Sequence, residues 1–225
     1  MRCFPLILFL LLPAAPAAAQ TISSLSPGSV QSNGSASVAA MPDQAQFTVS
    51  VLTQGASAQD AGTQNASQTT TLINALKSAL GNNGNVQTVG YSISPRYNTN
   101  GTSIVGYTAS NTVQVTTFNL ANVGSLIDTA NQAGGSSISG ISFGLQNPDP
   151  YVQQALGAAS QQALAHANAI AAGLGLKTGG VISAQEGTTY SPIVTNAAPG
   201  ATTTPVVTGT VQVTASVTVT VRLTQ

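Results

Sequence analysis

Charge is the scarcest thing in this chain. Asp, Glu, Lys and Arg make up 4% of the 225 residues, against roughly 25% in an ordinary globular domain. Five bases balance five acids. So few cations cannot neutralise a row of phosphates, which excludes nucleic acid as a partner and anionic membrane surfaces on the same ground. Tryptophan is absent, His166 is the only histidine and Cys3 the only cysteine. Soluble proteins guard exposed strand edges with Lys, Glu or Pro, and few charges are on hand here. Ser, Thr, Asn and Gln must carry most of the hydration, and edges hidden by pairing between subunits are expected.

The longest apolar run lies at the start. Arg2 precedes an apolar stretch from Phe4 to Leu12, and Ala17 and Ala19 stand before Gln20. This is the layout of a Sec signal peptide over residues 1–19, too short to span a bilayer. Cleavage there removes Cys3, which is not placed as a lipoprotein anchor, and with it any disulfide or thiolate. No integral membrane span is expected afterwards. Residues 20–33 read as a flexible polar leader, and residues 34–225 as one domain with an irregular loop at about 188–205.

What is present is alternation. In "TGTVQVTASVTVTVRLTQ", Val211, Val213, Ala215, Val217, Val219, Val221 and Leu223 alternate with polar residues, which makes one strand with a dry and a wet face. Upstream, "GSASVAAMPDQAQFTVSVLTQG" predicts two strands around a turn at Pro42-Asp43, hence an opening β-hairpin. Leu72, Ile73, Leu76, Ala79 and Leu80 have helical spacing, with Ser57 as N-cap and Gly81 or Gly84 as the stop. "VQTVGYSISPRY" and "IVGYTASNTVQVTT" flank a turn and predict a second hairpin. Val123, Leu126, Ile127 and Ala130 mark a second helix with Asn119 as cap. "SSISGISFGL" is a strand, and the longest helix opens at Pro148-Asp149-Pro150 and runs to about Gly173. Its spaced apolar positions are Val152, Leu156, Ala159, Ala163, Ala167, Ile170 and Leu174. "GGVISAQEGTTY" precedes the final strand.

The fold class is therefore α+β: a mixed or mostly antiparallel sheet packed against amphipathic helices. A transmembrane barrel is disfavoured, because three amphipathic helices interrupt the strands and aromatic girdles are missing.

Chemistry leaves little trace. Gly140-Ile141-Ser142-Phe143-Gly144 matches G-x-S-x-G, and Asp149 and His166 follow it. A nucleophile elbow needs a turn from strand straight into helix, whereas Ile138, Ile141, Phe143 and Leu145 continue as a strand. Asp149 and His166 fall on one helix, about 25 Å apart at 1.5 Å per residue, too far to share a triad. The acids Asp43, Asp60, Asp128, Asp149 and Glu186 are scattered singly, and a lone His166 has no companion ligand. Gly173–Gly180, "GLGLKTGG", reads as a helix C-cap rather than a phosphate loop. Tyr91, Tyr97, Tyr107, Tyr151 and Tyr190 with Arg96 suggest either a small binding surface or half-buried strand residues. No catalytic, cofactor-binding or metal residue is assigned.

The order and wording of "GSASVAAMPDQAQFTVSVLTQG", "GYTASNTVQVTTFNLANVGSLIDTANQAGGSSISGISFGLQNP" and "TPVVTGTVQVTASVTVTVRL" closely resemble the SIMPL-domain family of secreted bacterial proteins, from about Gly34 to Leu223. The resemblance implies a periplasmic, in some members outer-membrane-associated, protein of the immunogenic-antigen or oxidative-stress-defence type. It implies no catalytic residues, and some members of the family build large hollow ring assemblies. The expectation is a non-enzymatic homo-oligomer with a scaffold, binding or envelope-stress role and an envelope protein as partner. The alternatives are an enzyme acting on envelope material and a surface-layer or fibre subunit.

Overall fold

The computed structural model describes residues 28–191, 193–194 and 209–225. The signal segment and most of the leader lie outside these. The elements are β1 (Ser29–Ala40), β2 (Gln44–Gly55), α1 (Ala58–Leu80), β3 (Gly84–Tyr97), β4 (Ile104–Thr117), a 3-10 turn (Leu120–Asn122), α2 (Val123–Gln132), β5 (Ser137–Gly144), α3 (Asp149–Gly173), β6 (Lys177–Ser191), β7 (Ile193–Val194) and β8 (Val211–Thr224). They form two antiparallel sheets, ordered β1-β8-β6 and β3-β4-β2-β5-β7. The chain is α+β, as its pattern implied.

Each sheet has its own helical cover. On the five-stranded sheet, Phe47, Val49 and Val51 of β2 and Val113 and Val115 of β4 meet Leu72, Leu76 and Leu80 of α1 and Val123, Leu126 and Ile127 of α2. Alternation in the strands and the i, i+4 spacing of α1 are what bring these faces together. Ser57 caps α1 by accepting from the Asp60 N–H at 3.1 Å, and Gly81 ends it. On the three-stranded sheet, Val217, Val219 and Val221 of β8 and Val30 of β1 pack under α3. The sheets join where Ala40, Leu145, Val211 and Val213 cluster with Tyr151 and Val152. The Asp43 carboxylate accepts from the Gln146 N–H at 2.6 Å and fixes this corner.

Three expectations need correction. β1 and β2 do not form a hairpin: β1 pairs along its whole length with β8, while β2 pairs with β4 and β5. At Met41–Asp43 the chain crosses from one sheet to the other, because the apolar phase of β1 is satisfied by α3 and that of β2 by α1. Secondly, β1 begins at Ser29, so residues 29–33 of the expected leader are paired strand, opposite Arg222 through Thr218. Likewise β6 continues to Ser191 into the expected loop, whose residues 195–208 lie outside the described part.

The third concerns α3. Its buried stripe is Ala155, Ala159, Ala163, Ala167 and Ala171, while Ile170 and Leu174 are 43% and 64% exposed. Only alanine fits under β1, because the backbones touch: a Cβ on Gly34 would overlap the Ala159 carbonyl oxygen and the Ala163 nitrogen. Larger side chains are displaced to the flanks of the helix.

Candidate functional site

The close approach of α3 to β1 shapes the surface of the three-stranded sheet. Ser32 donates its hydroxyl to the Ala163 carbonyl at 2.7 Å. The Ser35 N–H donates to Gln162 Oε1 at 2.7 Å, and His166 Nδ1 donates to the Asn33 carbonyl at 2.8 Å, the only sense possible toward a carbonyl. Gln162 and His166 stand one turn apart on the same flank of α3. They latch backbone groups of β1 on the side away from β8.

Because α3 sits over β1 and β8, it leaves the inner face of β6 uncovered. A cleft of about 260 Å³ opens there, lined by Leu156 and Ser160 of α3, Ala184, Gln185 and Glu186 of β6, and Val217 of β8. Glu186 lies opposite Val217 in the register, so the only glutamate of the chain stands on the face where β8 carries valines. A charge pointing inward on an edge strand discourages further strands from pairing there. Two register shifts, between Thr178 and Val181 and between Val181 and Ser183, interrupt the same strand. Thr178 hydrogen-bonds Asn168 of α3.

The residues singled out in the sequence do not converge. Ser142 lies within β5, paired with Gln46 and Val194, and the segment 145–148 separates that strand from α3. No elbow is formed. Asp149 opens α3 and His166 lies near its far end, on the other sheet from Ser142. Tyr151 packs in the corner between the sheets, whereas Tyr91 and Tyr97 are each 56% exposed on β3. Arg96 hydrogen-bonds Gln54, and Tyr107 lies opposite Gly55 and Pro95. The Tyr190 side chain lies outside the described part. Gly173–Gly180 does end a helix: Gly175, at φ 72°, and Leu176 donate to the carbonyls of Ala172 and Ala171, closing a Schellman motif.

The five-stranded sheet carries the larger exposed apolar surface. Val89, Tyr91, Ile93 and Tyr97 of β3 and Ile104 and Val105 of β4 are each more than a third exposed. The Tyr91 and Ile93 side chains reach Gly62 of α1 and are still more than a third exposed. Sequence reasoning named Tyr91 and Tyr97 as candidates for a binding surface but missed that they stand on an open sheet edge, and it missed the cleft. The signal for the cleft was present in β6, where Glu186 breaks the apolar phase. The edge had no local signal, since strand order is a property of the whole sheet.

Among the described residues there is no group of three or more His, Cys, Asp or Glu able to hold a metal. None of their helices is long and apolar enough to cross a membrane.

The chain is 29% identical over 167 residues to the 26 kDa periplasmic immunogenic protein of Brucella melitensis, covering 71% of this chain and 67% of that protein. It is 32% identical over 156 residues to the uncharacterized protein YggE of Escherichia coli K12, covering 68% of this chain and 63% of YggE. A family profile described as SIMPL, protein of unknown function, matches residues 30–221, from the second residue of β1 to the end of the valine run in β8. The chain therefore belongs to the SIMPL family.

Proposed function

We propose that this protein is a non-enzymatic component of the periplasm that associates with itself and serves as a binding scaffold in envelope or oxidative-stress defence. The observation that carries this reading is the exposed apolar surface of the β3–β4 hairpin, on a chain whose chemically capable side chains are dispersed over separate elements. Large apolar side chains left exposed together on one hairpin favour protein association. A periplasmic location is supported by the name of the Brucella relative and by the signal layout of residues 1–19. Any part in stress defence runs through binding, because Met41 is the only sulfur in residues 20–225 and no redox group is implied.

The test is native mass measurement of the protein purified from periplasmic extract, together with the cellular phenotype of Ser142→Ala and His166→Ala. A closed oligomer with the Ser142→Ala phenotype unchanged supports the proposal. A monomer at all concentrations overturns self-association. An open polymer of indefinite length favours the fibre subunit.

The cleft beside Glu186 is the observation that favours the enzyme alternative. Loss of phenotype in Glu186→Gln, with stability and native mass unchanged, would move the function there.

A further inference from the structure

The free edges of the two sheets differ in what a neighbouring chain would meet. The outer edge of β1 is latched by Gln162 and His166 of α3. β6 is broken by two register shifts before Ser183, and the run that follows carries the inward-pointing charge of Glu186 near its middle. β7 is two residues long, and the part of β5 that it leaves unpaired, Ser137–Ile141, is broken by a register shift with Gly140 at φ 68°. That leaves β3, which pairs with β4 alone. Its register shifts fall between Thr88 and Gly90 and between Arg96 and Tyr97, so Gly90–Arg96 runs without interruption and is uncharged up to Ser94. Among the described residues nothing covers its outer edge.

We infer that β3 is the strand through which a second copy of this chain adds, antiparallel, β3 to β3 about a two-fold axis at Ser92. The inference rests on the self-association proposed above and names its surface. The partner strand is β3 again, since the other edges a second copy offers are latched, broken or carry an inward charge, and two copies joined by the same strand are related by a two-fold. The register follows from Pro95. It sits inside the continuous pairing with β4, opposite Tyr107, and has no N–H, so the edge its nitrogen faces is the outward one. Tyr91 and Ile93 share its phase and present their N–H and C=O groups outward. A two-fold at Ser92 sets Tyr91 of one copy opposite the second copy's Ile93, and both outward donors find carbonyls. Shifting the axis to Ile93 would put Tyr91 opposite a proline, leaving a carbonyl without a donor. In the Ser92 register the exposed Tyr91 and Ile93 side chains also cover one another as an aromatic and β-branched cross-strand pair.

Directly opposed residues that do not exchange hydrogen bonds bring their Cα atoms to about 4.5 Å, within reach of a disulfide. Ser92 holds that position. The experiment is therefore Ser92→Cys in the mature chain, which has no other cysteine once residues 1–19 are removed, with mild oxidation, non-reducing electrophoresis and native mass. Tyr91→Lys and Ser183→Lys, one on β3 and one on β6, are measured beside it, with folding checked by circular dichroism. The expected result is near-complete cross-linking of Ser92→Cys into dimers, a dissociation constant at least ten-fold weaker for Tyr91→Lys, and parent-like mass for Ser183→Lys. An associated parent whose Ser92→Cys form does not cross-link overturns the β3 interface and leaves self-association standing. Loss of association in Ser183→Lys moves the interface to β6 and also overturns it. A monomeric parent overturns both.

Discussion

His166 Nδ1 lies 2.8 Å from the carbonyl oxygen of Asn33, joining the only histidine of the chain to the outer edge of β1. One helical turn earlier, Gln162 accepts from the Ser35 N–H. An isolated polar pair on a helix flank thus replaces the edge charges that this composition lacks. Removing either side chain leaves an exposed backbone group that water can reach, so His166→Ala or Gln162→Ala is expected to cost about 1 kcal/mol, or roughly 2–4 °C in melting temperature. The double variant is expected to gain a new, concentration-dependent association through β1. Light scattering checks this, and an unchanged profile would remove the latch from the account.

Gly34 is expected to tolerate no side chain. The added methyl of Gly34→Ala meets backbone of α3, which cannot swing aside as a side chain would. A loss of about 1–3 kcal/mol is expected from urea unfolding, whereas Gly157→Ala, with open space around its Cβ position, is expected to be neutral or stabilising.

The two faces of β8 should respond oppositely to the same change. Val217 is 6% exposed and stands opposite Glu186, so Val217→Asp sets two carboxylates side by side against an apolar floor. Failure to recover soluble folded protein is expected. Thr218 faces away from α3, and Thr218→Asp is expected to change stability by less than about 0.5 kcal/mol. A stable Val217→Asp, measured by thermal melting, would show the dry face to be misassigned.

Asn111 offers a stabilising substitution. Its Oδ1 is buried without a hydrogen-bond partner, on the face of β4 that carries Ala109 and Val113 under α1. Asn111→Val removes the unmatched acceptor and places a β-branched residue in a strand, so a gain of about 1 kcal/mol is expected in chemical unfolding. By contrast, the neighbouring Asn65 donates to the carbonyls of Val51 and Ala109, and Asn65→Ala is expected to be destabilising by about 2 kcal/mol.

The sequence alone determined which segments are helix and which are strand, and the buried faces of β8 and α1. A period of two in Val211–Val221 and a period of four in Leu72, Leu76 and Leu80 are local patterns, and both mark side chains that are buried. The caps at Ser57 and Gly175 were legible for the same reason, acting on groups within six residues of themselves, whereas Asn119 caps the 3-10 turn and not α2, which has no side-chain cap. The tertiary structure decided everything that depends on who the neighbour is. β1 and β2 look like a hairpin, yet they belong to different sheets, because two strands close in sequence pair only if no distant strand and helix offer the better fit. Alanine rather than leucine lines α3 because β1 approaches it backbone to backbone at Gly34. The candidate surfaces, the cleft at Glu186 and the open edge at Tyr91–Ile93, arise from what α3 and α1 fail to cover, and coverage is set by packing between elements far apart in the chain.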